Sequence, residues 1–581
     1  MKILGISDGM TGGTALIEDG VIVYAVHEER LIREKMATGF PRQSIDRVLE
    51  DTGTRPEEID AIAIATINEF FKEPAEAYDG WLKSEQTPLK ELMLNVGSSV
   101  TRVVGANALF KATYYKLKGL LGGRRKKEIT QRLRDDWGFT CPIEFINHHF
   151  AHAASTYYTS GLKDATVITL DGAGDNCCSH VYEVRDGQFR ILHTIDSIDS
   201  VGNYYSYVTH LCGFTAQRHE GKITGLAAFG KPDYQDILRK FIAYEDGSTV
   251  NKGMVFYHAA VKAMAKALPD PFDKAVLASS MQAILEEVAC QYVGHWVDRT
   301  GIGDLALAGG ICANVKMNQR LHKLDNVDSI FIHPGMGDEG LAVGAGFALS
   351  ARLGRSAGKP IRATEIQDVY LGPDYTNEEI KLAIDASEFE AEYFDNIEEK
   401  AARIIADGGV VARFNGRMEY GPRALGNRSV LYQPTEPSVN KWLNDRLGRT
   451  EFMPFAPVTL AEYADKCYLG VDGARYPAHF MTVTFDCTEW MKDTCPAVVH
   501  IDGTARPQLI TREANPSYYK IVDEYRKISG LPSVVNTSFN MHEEPIVCSP
   551  SDAIRAFSDG RLDYLAIGNY LLEHPERTAS G

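Results

Sequence analysis

No apolar run in this chain approaches the ~20 residues needed to cross a bilayer. Its first residues, MKILGISDG, read as a buried strand ending in a turn and lack the long apolar core of a signal peptide. The ten cysteines form no CxxC pair, and only Cys177 and Cys178 are adjacent. Such scattered thiols suit a reducing cytoplasm better than a disulfide framework. Positive charge is also short: 61 Lys and Arg against 78 Asp and Glu leave a net charge of −17. That balance disfavours a general affinity for nucleic acid or anionic membrane, although local basic clusters can still serve anionic ligands. The expectation is a cytoplasmic protein with neither nucleic acid nor membrane as partner. What is present is ordinary for a globular protein, 44% hydrophobic and 24% charged over 581 residues, enough for two or three domains.

The most informative stretch runs from Asn147 to Asp175, NHHFAHAASTYYTSGLKDATVITLDGAGD. His148 and His152 stand four apart, so a helix puts both imidazoles on one face. An apolar run with β character, Ala165 to Leu170, then reaches Asp171 in a glycine-rich turn. Two imidazoles and a carboxylate can hold a divalent transition metal and leave positions open. Taken alone, a histidine pair at this spacing is more often helix packing. The Asp-Gly turn favours the metal reading because it recurs along the chain.

The first such turn, Asp8-Gly9, lies in a hairpin covering residues 3 to 26 and resembles the first phosphate-side turn of actin-like ATPases. HEERLIREK follows, with charges at helical spacing that predict a solvated face. Residues 70 to 137 are helical and irregular and read as an insertion, whose basic cluster from Lys116 to Arg134 predicts a solvated helix end. Glu220-Gly221-Lys222 and Gly225 fall on a turn entering a helix, and Gly309-Gly310 follows the strand Asp304 to Ala308. Both suit backbone amides meeting phosphate or ribose oxygens. HPGMGDEG places Asp338 in another glycine-bounded turn ahead of a helix, as a fourth ligand with His148, His152 and Asp171. That donor set suits ferrous iron, manganese or zinc alike.

Glycine- and acid-bearing turns after successive strands predict a duplicated α/β fold for residues 1–354. A polar, basic linker at 355–368 leads to a second domain, 369–581. There the strand Val410 to Phe414 runs into NGRMEYGPRALGNRS, where three glycines interleave with Arg417, Arg423 and Arg428. Arginine forks match phosphate oxygens and glycine admits close backbone amides, so an anion site is expected here.

Taken together, HHFAHA, LDGAGD, EGKITGLAAFG, LAGGICANVKMN, HPGMGDEG, GRMEYGPRALGNRS, RTEFMPFAP and NTSFNMHEEPI resemble the O-carbamoyltransferases, which include the nodulation, tobramycin and cephamycin enzymes. The motifs occur in the family's order over nearly the whole chain. The resemblance implies an actin-like (ASKHA) duplicated α/β domain followed by a YrdC-like α/β domain. It implies that the second domain turns carbamoyl phosphate and ATP (with Mg2+) into carbamoyl adenylate, which moves internally to the first. There a small-molecule hydroxyl, on a natural product or sugar, takes the carbamoyl group. The family's Fe2+ ligands, or those of another divalent metal, fall on His148, His152, Asp171 and Asp338. First-domain nucleotide contacts fall on Lys35, Gly202, Glu220, Gly310 and Asn314. Those of the second domain fall on Arg423, Arg428, Arg446, Arg449, Arg506, Asn536 and Ser538. The resemblance assigns catalytic roles to His148, His152, Asp171, Arg423 and Arg506.

One departure stands out. Many family members carry a His-Asp pair in the first hairpin, where this chain has Met10-Thr11, leaving Asp8, another residue or the acceptor itself to manage the proton. Two other readings compete: a transferase that builds threonylcarbamoyl-adenosine in tRNA, and a non-catalytic actin-like ATPase acting as a nucleotide-gated binding protein. The acidic net charge argues against the first, and the second leaves the histidine pair and the Arg-Gly cluster without chemistry. A homodimer is compatible with all three.

Overall fold

The computed structural model describes residues 1–68, 72–78, 80, 108–449 and 455–576, with side chains in the helix Ala108–Trp137 described from residue 123 onward. Part of the expected insertion at 70–137 therefore lies outside the described residues. The chain forms two compact units. The first comprises Met1–Ile22, Met36–Pro41 and Gly53–Glu365; the second comprises Val23–Lys35, Arg42–Thr52 and Ile366–Gly581.

Two five-stranded sheets are built from strands that precede residue 365 in the chain. One uses β1 (Lys2–Ser7), β2 (Gly13–Glu18), β3 (Val21–His27), β4 (Ala61–Ala65) and β5 (Ile143–Ile146), in the order β3-β2-β1-β4-β5. The other uses β6 (Asp164–Gly174), β7 (Cys177–Arg185) and β8 (Gln188–Asp196). A small hairpin, β9 (Ala243–Glu245) with β10 (Ser248–Val250), stands apart. Then β11 (Asp304–Ala308) and β12 (Ser329–Ile332) complete the second sheet in the order β8-β7-β6-β11-β12. In each sheet the first strand pairs antiparallel with the second and parallel with the fourth-placed strand. The topology is the same in both, which is the duplicated α/β architecture of the actin-like fold. The central parallel strands read as continuous apolar runs because both faces are covered: Ala61 to Ala65 and Leu305 to Ala308 are buried throughout.

The duplication places two helices in equivalent positions. The helix His148–Tyr158 follows β5, and the helix Leu341–Ser356 follows β12. They approach so closely that a Cβ on Gly344 would lie 1.9 Å from the Ala151 carbonyl oxygen. Backbone cannot yield as a flexible side chain can, so Gly344→Ala is expected to destabilise the first unit by roughly 3 kcal/mol or more. A lowered urea midpoint for its unfolding would show this; an unchanged one would mean the helices separate without cost.

Several local expectations are corrected. Glu28, Glu29 and Arg30 of HEERLIREK are buried rather than solvated. Both Glu28 carboxylate oxygens accept backbone N–H groups at the start of the helix Arg42–Thr52, from Gln43 (2.9 Å) and Ser44 (2.7 Å). Arg33 donates to the Pro545 and Ile546 carbonyls, each at 2.7 Å. These bonds tie the early segments to the second unit, and Lys35, expected among first-domain nucleotide contacts, belongs with that unit. In the basic cluster, Arg124 is exposed as expected, but Arg125 is 1% exposed. Glu220, Gly221, Lys222 and Gly225 lie inside the short helix Glu220–Ala227 rather than on a turn.

In the second unit β13 (Ala391–Tyr393), β14 (Val411–Phe414), β15 (Arg428–Tyr432) and β16 (Ala456–Leu460) come first in the chain. Next are β17 (Tyr468–Leu469), β18 (Phe485–Cys487) and β19 (Thr504–Ala505), which make a small sheet of their own. With β20 (Gln508–Ile510), β21 (Ser533–Ser538), β22 (Tyr564–Ile567) and β23 (Tyr570–Glu573) the large mixed sheet runs β13-β23-β22-β14-β15-β21-β16-β20. The helices Ile397–Ala406 and Pro516–Ser529 pack Ile405, Ala401, Tyr518 and Val522 into its core with Val411, Leu431 and Val534.

Candidate metal centre and anion site

β5 ends at Ile146, and the Asn147 side chain accepts the Phe150 N–H at 3.0 Å, capping the helix that follows. The cap fixes His148 in the first turn and His152 one turn later on the same face. Their Nε2 atoms stand 3.1 Å apart. Asp171 Oδ2 lies 3.1 Å from His148 Nε2, and Asp338 Oδ1 lies 3.6 Å from His148 Nε2 and 3.5 Å from His152 Nε2. All four donor atoms fall within 4.8 Å of one another, and among the described residues no other set of three such side chains converges in this way. Donors held about 2.1 Å from one ion stand roughly 3.0–3.4 Å apart, so the spacing fits a shared cation.

The duplication explains the convergence. The equivalent helices after β5 and β12 bring the histidines and Asp338 together, Asp338 entering from a one-turn 3-10 segment at 338–340. Asp171 comes from β6, which continues past it to Gly174 with a shift of register after Leu170; the acid sits at a bulge rather than at a strand end. Gly174 is where the His148 ring lies against the backbone: a Cβ there would meet His148 Cδ2 at 2.1 Å.

Burial works against a charged His148, but the carboxylates of Asp338 and Asp171 outweigh it and raise the imidazole to about 9. Asp171 is held well below the usual carboxylate range; its burial opposes this, and the hydrogen bond and charge of His148 prevail. Neighbouring His149 is pushed well below its ordinary value by burial and bonds Thr169 Oγ1 through Nδ1 at 2.8 Å.

An outer layer of bonds holds two of the candidate ligands, Asp171 and His148. Gly310 N–H donates to Asp171 Oδ1 at 2.9 Å, and Thr66 Oγ1 lies 3.1 Å from His148 Nδ1. Asp175 accepts the backbone N–H groups of Asn68 and His148, each at 2.7 Å, and of Ile67 at 3.0 Å. Sequence reasoning missed Asp175 and Thr66. The only signal for Asp175 was a second acid four residues after Asp171, and Thr66 carried none.

Four of the five expected first-domain nucleotide residues share one neighbourhood. Glu220 accepts from Ser206 Oγ (2.8 Å) and Gln217 N–H (2.6 Å), and burial raises its carboxyl. Asn314 caps the helix Val315–His322 and donates to Gln282 Oε1 at 2.8 Å. Tyr205, beside Ser206, also donates to that Gln282 oxygen at 2.9 Å. Gly202 faces Ile311, 2.9 Å from a built Cβ, in the turn that starts at Gly310. Lys35 is not in this group, as described above.

In the second unit Glu419, unremarked in the sequence, organises the Arg-Gly run between β14 and β15. Its Oε1 accepts the N–H groups of Leu425 (3.0 Å), Asn427 (2.7 Å) and Arg428 (2.9 Å). Several expected ligand contacts face protein groups instead. Arg428 lies 3.7 Å from the Phe414 ring centre and donates to the Asn415 (2.9 Å) and Gly416 (3.1 Å) carbonyls. Arg449 holds the end of β21 and the residues just after it, donating to Thr537 Oγ1 (2.9 Å) and to the Ser538 (2.7 Å) and Asn540 (2.8 Å) carbonyls. Arg446 pairs with Asp563 at 3.0 Å, and Asn536 donates to the Ala424 carbonyl at 3.1 Å. Residues 450–454 of RTEFMPFAP lie outside the described residues. Arg506 differs from all of these. Among the described residues it makes no hydrogen bond or ion pair, and burial together with the adjacent Arg423 charge pushes it well below its usual range.

Two family models and several curated relatives match this chain. The family model described as Carbamoyltransferase N-terminus matches residues 2–347, and Carbamoyltransferase C-terminus matches 402–574. Nodulation protein NolNO of Sinorhizobium fredii is 32% identical over 98% of this chain and 79% of its own length. Nodulation protein U of the same species is 26% identical over the full length of both. Among solved structures, component A of the (R)-2-hydroxyglutaryl-CoA dehydratase of Acidaminococcus fermentans covers 60% of this chain and 97% of its own, at 16% identity and a TM-score of 0.34. No helix among the described residues is long and apolar enough to cross a membrane. With family matches spanning both units, the chain belongs to the carbamoyltransferase family and is a carbamoyltransferase.

Proposed function

We propose that this carbamoyltransferase is ATP-dependent and works in two stages, one in each unit. In the second unit Arg423 and Arg506 hold carbamoyl phosphate; water hydrolyses it to carbamate and phosphate, and a carbamate oxygen attacks the α-phosphate of ATP to give carbamoyl adenylate with pyrophosphate as the leaving group. In the first unit the carbamoyl carbon of the adenylate is attacked by a hydroxyl of a small-molecule acceptor, a sugar or natural product, and AMP leaves. The observation that carries the reading is Arg506: a half-buried guanidinium beside Arg423 that makes no hydrogen bond or ion pair among the described residues. A half-buried cation set beside a second cation is stabilised when an anion joins it.

Each unit has a separate task. Carbamate decomposes in water, so its capture requires a site that excludes bulk solvent. Glu419 and Arg428 hold the loop that presents Arg423, and Arg449 holds the end of β21, paired with β15, that carries Ser538. In the first unit Glu220 and Asn314 provide polar groups for the nucleotide's ribose and base, and Gly310 links that neighbourhood to Asp171. The donor set His148, His152, Asp171 and Asp338 fits Fe2+ or another divalent transition metal, which when bound supplies Lewis acidity toward developing negative charge. Both Asp8 carboxylate oxygens accept from Arg125, which favours another residue or the acceptor itself for the base that the Met10-Thr11 departure left open.

Incubation of the purified protein with ATP and carbamoyl phosphate, without acceptor, tests the first stage. Pyrophosphate release that requires carbamoyl phosphate is expected. Release of ADP alone, or no release, would exclude the adenylate.

A further inference from the structure

The insertion between β4 and β5 delivers one fully buried arginine to the first hairpin. Arg125 donates through Nε to Asp8 Oδ2 at 3.0 Å and through Nη2 to Asp8 Oδ1, in a two-pronged pair in which both side chains are 1% exposed. Its remaining bonds run to backbone: Nη1 to the Thr66 carbonyl at 2.8 Å and Nη2 to the Ala65 carbonyl at 3.1 Å. Four of its five N–H donors are thereby committed to the Asp8 turn and the end of β4.

Thr66 is the residue those bonds hold. It has φ 68, a left-handed backbone that a β-branched residue rarely adopts. Arg125 binds its carbonyl, and Asp175 binds the next two N–H groups, of Ile67 and Asn68. So constrained, the Thr66 hydroxyl lies 3.1 Å from His148 Nδ1, on the side of the ring away from the Nε2 that faces Asp171. The duplication gives this a counterpart: Asp8-Gly9 after β1 corresponds to Asp171-Gly172 on β6. In one repeat the acid faces the candidate metal centre; in the other it faces a fixed guanidinium.

We propose that Asp8, Arg125 and Thr66 form a positioning relay for the metal centre, in which the ion pair holds Thr66 in its left-handed conformation and the Thr66 hydroxyl sets the His148 ring with Nε2 toward the ion. The inference rests on the reading of His148, His152, Asp171 and Asp338 as metal ligands. A hydrogen bond to the non-ligating nitrogen of a metal-bound imidazole fixes its tautomer and orientation, and losing it typically weakens metal binding about 10–100-fold.

The test measures Co2+ affinity of the full-length, metal-stripped protein by competition with a chelating dye, alongside the melting temperature of the metal-free form. Thr66→Val keeps the branched shape and removes the hydroxyl. It is expected to raise the Co2+ dissociation constant about 10–100-fold while the metal-free melting temperature stays near wild type; Thr66→Ser is expected to restore affinity. Wild-type affinity in Thr66→Val, or equal loss in the valine and serine variants, overturns the role of the hydroxyl. The double substitution Asp8→Leu with Arg125→Met removes both charges together and is expected to fold with affinity about tenfold weaker. Unchanged affinity in that folded double variant overturns the role of the ion pair. Should the wild-type protein bind no metal, the metal reading itself fails, a result distinct from a wild type that binds and variants that bind equally well.

Discussion

His152→Ala is expected to abolish stoichiometric metal binding and to lower carbamoyl transfer about 10²–10³-fold, the loss of several kcal/mol of Lewis-acid stabilisation. The reason is the geometry of the four donors. With His152 removed, His148 Nε2 keeps Asp171 at 3.1 Å and Asp338 at 3.6 Å, three donors where four converged. The fold is expected to survive. His152 Nδ1 has no hydrogen-bond partner among the described residues, so the substitution breaks no polar contact outside the cluster. Elemental analysis of the purified variant reads the metal, and radiolabelled carbamoyl transfer reads the chemistry. Because adenylate formation is assigned to the other unit, pyrophosphate release should stay near wild type. Full transfer by metal-free His152→Ala would remove the metal from the mechanism.

Arg506→Met is expected to do the reverse. Carbamoyl phosphate-dependent pyrophosphate release should fall about 10²–10³-fold, as when a charged group that stabilises a developing anion is removed. Transfer from synthetic carbamoyl adenylate should be spared. Stability should not fall, since methionine replaces a half-buried cation that makes no hydrogen bond among the described residues and whose charged neighbour is another cation, Arg423. Carbamoyl phosphate should raise the melting temperature of the wild type and leave that of the variant unchanged. A variant that loses both activities equally would end the division of labour between the two units, and one that loses stability would show that Arg506 has a structural partner.

The contrast between Arg506 and Arg428 shows what a sequence can and cannot carry. Both stood as anion contacts, since arginine is the right chemistry for a phosphate wherever it points. In the structure Arg428 lies over Phe414 with its donors on the Asn415 and Gly416 carbonyls, and Arg506 makes no hydrogen bond among the described residues. Residue type and local spacing do not encode that difference, because it depends on which backbone carbonyls the fold brings within reach. The same holds for Arg125, one of four consecutive basic residues at 124–127, whose burial follows from its place opposite Asp8. Lys35 and the HEERLIREK segment show it on a larger scale: their neighbours Pro545 and Ile546 lie more than five hundred positions along the chain.

By itself the sequence determined the elements whose cause is local. Helical spacing set His148 and His152 on one face, continuous apolar runs marked the doubly covered strands, and recurring Asp-Gly turns announced the duplication. Tertiary structure alone decided what depends on long-range contact: that the two equivalent helices cross at Gly344 and so bring Asp338 to the histidines, and that Asp8 faces an arginine while its counterpart Asp171 faces His148. Periodicity along a chain records how a residue is turned relative to its own helix or strand, whereas the partner it meets is set only when distant segments pack.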